Sequence, residues 1–174
     1  ATYVGEKIGK DKVFFRDSIA LSESYEKFYE YMESINSKIE YFLIESATPS
    51  WEHDYKLIKN IKNKYPNLKI IVAGPISTSD EKWDSDIVYA VLKGEYQKNI
   101  MKVLEGKNGV LNHDLLTKDE MNSAPFPYYD NNIFDKYFDA SDNLKPELVN
   151  SLRSFFKSDL LISSFLSLLM PLIT

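Results

Sequence analysis

Hydrophobic and polar positions along the chain switch repeatedly between a period of two and a period of about 3.6, the periods of strand and helix. Lys12 to Arg16 reads as a strand, and Ser22 to Ser34 carries Tyr25, Phe28, Tyr29 and Met32 at helical spacing, with Ser22 as the expected N-cap. Ile39 to Ile44 has the pattern of a buried strand. Trp51 to Tyr65 is helical through Trp51, Tyr55, Ile58 and Ile61, and Pro66-Asn67 stops it. Leu68 to Ala73 contains Ile70, Ile71 and Val72 without interruption, as in a strand covered on both faces. Asp86 to Leu92 repeats the strand pattern, and Tyr96 to Leu104 closes with a helix whose apolar positions are Ile100, Met101 and Leu104. Between Gly74 and Asp86 there is room only for a brief helical turn. This succession predicts the α/β class: a doubly wound, Rossmann-like parallel sheet with helices on both faces.

From Gly106 onward the pattern changes. Gly109 to Leu111 fits a small strand, and Ser123 to Asp130 is too proline-rich for regular structure, as in a linker. Pro146 to Phe156 and Asp159 to Leu169 read as helices followed by Pro171. The second has an apolar face of Leu160, Leu161, Phe165, Leu168 and Leu169. It is shorter than a membrane span, which predicts a packed or partner-covered helix and no membrane element. The predicted division is therefore an α/β domain over 1–106 and a linker with a helical segment over 107–174.

A chain of 174 residues with 44% hydrophobic content can bury one sizeable core. Its net charge of -5 argues against a nucleic-acid surface, which needs a concentrated basic face. With no cysteine, the chain cannot form a disulfide, a thiolate nucleophile, a zinc-thiolate site or an iron–sulfur ligand set. The N-terminus has neither an initiator methionine nor the apolar stretch of a signal peptide. It reads as a segment already under way, in a cytoplasmic setting.

Candidate chemistry gathers at three strand ends: Glu45 to Ser50, Ala73-Gly74-Pro75, and Lys93 to Tyr96. In an open parallel sheet this edge is where ligands bind. Glu45 and Glu95 would form a carboxylate pair for acid–base work if they converge; otherwise Glu95 would cap the turn into its helix. Gly74 and Gly94 allow positive φ or a close backbone approach. Ser46, Thr48 and Ser50 supply three hydroxyls that can bond a ligand or cap the helix at Trp51, and Ser50 is the expected cap. The two histidines, His53 and His113, have no partner at metal spacing. His53 reads first as an exposed polar residue on a helix start and second as an acid–base group or ligand. His113 falls in the linker region without an assigned role.

The runs Ile44 to Ser50, Ile70 to Pro75 and Gly94-Glu95-Tyr96, in this order and spacing, resemble the cobalamin-binding domain that precedes the radical S-adenosylmethionine domain in a large enzyme family. Pro125-Phe126-Pro127-Tyr128 is similar to the linker between those domains, and Met170 to Thr174 resembles the lead-in to the family's cysteine motif. The resemblance implies cobalamin lying across the carboxyl ends of the strands with its nucleotide tail among the loops. Ser46, Thr48 and Ser50 would line the tail, Gly74 and Pro75 would let it pass, and Gly94 with Glu95 would close the far side. It also implies a parent enzyme, a methyltransferase or a related radical catalyst. The parent's four-iron cluster and S-adenosylmethionine would belong to a downstream radical domain of the same chain, so this segment would not be catalytic alone. Two departures stand against it. A further strand and loop are expected before Ala1, and Pro75-Ile76 replaces the usual second glycine or histidine. The alternative is a degenerate α/β interaction or scaffold module that binds no corrinoid. A flavin or nucleotide site lacks the phosphate-cradling glycine loop it would need.

Overall fold

The computed structural model describes residues 1–18, 20–79 and 81–127. Contacts divide the chain into one unit of Ala1–Ser18 with Glu23–Tyr128 and a second of Ile19–Ser22 with Tyr129–Thr174. The helices predicted over Pro146 to Phe156 and Asp159 to Leu169, and the tail Met170 to Thr174, lie outside the described residues. Among the described residues no helix is long and apolar enough to cross a membrane.

The first unit is an α/β fold. Its elements are α1 (Thr2–Ile8), α2 (Tyr25–Ile35), β1 (Tyr41–Glu45), α3 (Trp51–Lys64), β2 (Lys69–Ala73), β3 (Val88–Leu92), α4 (Gln97–Leu104), β4 (Gly109–Leu111) and α5 (Lys118–Ser123), with a 3₁₀ turn at Pro75–Thr78. The strands form one sheet in the order β1-β2-β3-β4, and every pairing is parallel. β2 is central, and Ile70 to Ala73 are all buried, as an uninterrupted apolar run requires when both faces are covered.

The pleat sends alternate residues to two cores. Met32 and Ile35 of α2 and Ile58 and Ile61 of α3 pack with Ile70, Val72, Val88 and Val91 on one face. Val103 and Ile100 of α4 pack with Ile71, Ala73, Ala90 and Leu92 on the other. Because the strands follow in sequence while the covering helix changes face, the connections β1–α3–β2 and β3–α4–β4 have opposite hands. The register between β2 and β3 slips by one residue, Ile70 opposing Val88 and Ile71 opposing Ala90. The extra residue is Tyr89, which the bulge turns onto the α4 face beside Ala90.

Two predicted elements differ. Lys12 to Arg16 is no strand: Lys12 ends a 3₁₀ turn, and Phe14 and Phe15 are exposed on a segment without ladder partners. An apolar run needs a neighbouring strand to become one, and here Arg16 instead pairs with Glu23 and lies over the ring of Tyr31. The N-cap of α2 is Ser24, not Ser22. Ser24 has the extended backbone a cap needs and accepts a hydrogen bond from the Lys27 N–H at 3.4 Å, whereas Ser22 has φ +47°.

Ile70 is fully buried at the centre of the first core, so Ile70→Ala leaves a cavity there. Urea unfolding is expected to show a loss of about 2–5 kcal/mol, with an unchanged dependence on denaturant.

Candidate functional site

The carboxyl edge of the sheet is built from one peptide outward. The Ser46 N–H donates to the Ala73 carbonyl at 3.0 Å, and the Ser46 carbonyl accepts from the Ile76 N–H at 3.2 Å. These two bonds lay the loop after β1 against the turn after β2. Gly74 lies beneath them with φ +87°, where a Cβ would come within 2.7 Å of the Ser46 carbonyl oxygen and 2.9 Å of Glu45 Cγ. Both the backbone conformation and the space therefore require glycine. The Gly74 carbonyl accepts from the Ser77 Oγ at 2.7 Å, and the 3₁₀ turn follows.

Between the three strand ends lies an open cleft of about 380 Å³. Its lining comes from Glu45 at the end of β1, from Gly74, Pro75 and Thr78 after β2, and from Gly94, Glu95, Tyr96 and Gln97 after β3. The fold thus brings Gly74, Pro75, Gly94 and Glu95 together, joined by Glu45.

Ser46, Thr48 and Ser50 do not line this cleft. Ser46 is buried and donates its hydroxyl to Asp54 Oδ2 at 2.5 Å, and Ser50 donates to the same oxygen at 2.7 Å. Thr48 is exposed. Ser50 stands at the N-cap of α3 without capping through its side chain. Its backbone is helical (φ −92°, ψ −10°) rather than extended, which aims the hydroxyl along the helix toward Asp54. Asp54 organises the loop and was missed in sequence, although its i, i+4 spacing from Ser50 in a first turn was a readable signal.

Glu45 and Glu95 are both among the residues that line the cleft. The Tyr96 hydroxyl donates to Glu45 Oε2 at 3.1 Å. Burial, then the Glu45 charge and this bond, push the Tyr96 phenol up to about 12. Glu95 lines the same cleft, and α4 begins at the N-cap Tyr96 with no side-chain cap, so the predicted capping by Glu95 is not made. The chain enters α4 at Tyr96, one residue past Glu95, which leaves Glu95 exposed at the cleft. Gln97 contributes the one buried side-chain polar atom among the described residues that lacks a hydrogen-bond partner, its Oε1. An acceptor left in that state costs about 1–3 kcal/mol.

His113 belongs to this edge as well. It follows β4, and its imidazole lies against Gly94, where φ is +67° and a Cβ would run into the ring. β4 is the small strand expected at Gly109 to Leu111, and its pairing with β3 returns the chain to the sheet here. Buried Asn99 holds the segment by donating to the Asn112 carbonyl at 2.8 Å. Lys98 and Lys102 pair with Asp114, and Lys98 also reaches Glu120 at 2.8 Å. With Lys98 and the Thr117 backbone N–H beside it, Glu120 is lowered to about 2. His53 is exposed on α3. Among the described residues no group of three or more His, Cys, Asp or Glu side chains is placed to hold a metal ion.

Gly74→Ala combines a positive φ with a clash against backbone, and a loss of at least about 1–3 kcal/mol is expected in chemical denaturation. Tyr96 makes stability fall in alkali. The unfolded chain ionises at the ordinary value of about 10 while the folded chain stays neutral. Stability is therefore intact below pH 10 and declines as pH rises toward 12. Phenolate absorbance is expected to lose a late-titrating component in Tyr96→Phe, and Glu45→Gln to bring that component earlier.

Comparison of the chain with models of protein families, with curated proteins and with solved structures gives no match.

Proposed function

We propose that the cleft at the carboxyl edge is a cofactor site and that its ligand is a corrinoid, held for a radical S-adenosylmethionine domain of the same parent protein. One observation carries the reading. Gly74 and Pro75 from one loop and Gly94 and Glu95 from another, all belonging to the motifs of the resemblance, line a single cleft where a parallel sheet binds ligands. A volume of about 380 Å³ falls in the range of small-molecule sites, about 300–1,000 Å³. It takes part of a corrinoid, with the remainder over the rim. This chain would bind and orient the cofactor; the corrinoid, once bound, supplies the alkyl-transfer or radical chemistry of the parent enzyme, a methyltransferase or a relative of one.

The second reading, a scaffold module that binds no corrinoid, has its own support. Gly74 and Gly94 are each required by a neighbour in the chain, and the Ser46 and Ser50 hydroxyls are taken by Asp54.

Anaerobic titration of the protein with hydroxocobalamin separates the two. Corrinoid retained through gel filtration, with a shifted visible spectrum, is the expected result. Thr78→Trp, which fills the cleft from an exposed turn position, should abolish retention without changing the circular dichroism. No retention by the unsubstituted chain would leave the scaffold reading.

A further inference from the structure

Apart from the Gln97 amide nitrogen, the side chains around the cleft offer acceptors. Glu45 and Glu95 bring two carboxylates, and no lysine or arginine is among the lining residues. Thr78 gives its hydroxyl proton to the Pro75 carbonyl at 2.8 Å and Tyr96 gives its own to Glu45, so both hydroxyl oxygens remain only to accept. Gln97 adds a buried amide oxygen with no donor, which a turn of its side chain would present to a ligand, together with its amide N–H donors. The first turn of α4 starts at this edge, and its free N–H groups favour an anion. Glu45 and Glu95 already answer that half-charge with two full ones.

From this inventory we infer that the cleft recognises its ligand through hydrogen-bond donors. On a corrinoid it takes the primary-amide periphery of the macrocycle, and the phosphate of the nucleotide tail lies outside. The inference rests on the corrinoid reading above and reverses the placement of the tail that the resemblance implies. A phosphate in the cleft would face two like charges with no lysine or arginine among the lining residues. Amide N–H groups there would meet carboxylates, the stronger class of acceptor.

Equilibrium dialysis with hydroxocobalamin and with cobinamide, which keeps the amides and lacks the whole nucleotide tail, tests this. Cobinamide is expected to bind within about threefold of cobalamin, since the donors that matter are common to both. Glu95→Gln, at an exposed position outside the core, is expected to weaken both by about fivefold, the difference between a charge-assisted and a neutral hydrogen bond. Circular dichroism of the variant checks its fold. If cobalamin binds and cobinamide is weaker by about tenfold or more, or if Glu95→Gln tightens cobalamin through relief of charge repulsion, the nucleotide tail sits in the cleft. The inference then falls while the corrinoid reading stands. Binding of neither compound removes both.

Discussion

The carbonyl of Ser46 occupies the space that a side chain on Gly74 would need, and the geometry of the carboxyl edge depends on that close approach. It exists because the Ser46 peptide is bonded on one side to Ala73 and on the other to Ile76. The Ala73 bond continues the β1–β2 ladder by one residue, and the Ile76 bond carries the pairing into the 3₁₀ turn. Any side chain at position 74 would force the two loops apart, and with them Glu45 and Thr78 on the cleft wall. The site is thus an extension of sheet pairing rather than a set of independent loops.

The two ends of the sheet treat their charged groups differently. Near the amino ends of the strands, the Lys69 ammonium lies 4.9 Å from the ring centre of Tyr41 and 5.2 Å from that of Tyr89, with Glu40 at 2.6 Å. The aromatic pair exists because the bulge in β3 turns Tyr89 onto the face that carries Tyr41. At the carboxyl end the lining carboxylates have no basic side chain beside them in the cleft. A cation held by rings and an acid at one end is a structural latch. A pair of acids with one hydrogen-bonded phenol and an unpaired amide oxygen is a surface whose acceptors a ligand with donors would satisfy.

The glycines of this edge show how one residue type admits two explanations. In sequence, Gly74 and Gly94 suggest room for a ligand. In the fold, Gly74 makes room for Ser46 and Gly94 for His113. These glycines shape the walls of the cleft, and its chemistry comes from Glu45, Glu95, Tyr96 and Gln97. Gln97 gave no signal in sequence, because an unsatisfied acceptor is a property of its surroundings.

Much of the fold was legible because its elements are fixed by local periodicity and burial. The uninterrupted Ile70-Ile71-Val72 run marks the central strand, and the spacing of Ile58 and Ile61 marks the buried stripe of α3. The parallel arrangement followed from strands alternating with helices. Tertiary structure decided what depends on residues far apart in the chain. Val13 to Arg16 had strand-forming residues and no ladder to join, while Gly109 to Leu111 had weak propensity and a partner in β3. Ser46 was visible as a hydroxyl, yet only folding could give it to Asp54, and only folding could lay His113 against Gly94. The sequence alone determined the class of the fold and the strand ends that meet at its carboxyl edge, since both follow from short-range pattern. Which side chains line the cleft there was decided by contacts that loop closure makes between residues dozens of positions apart.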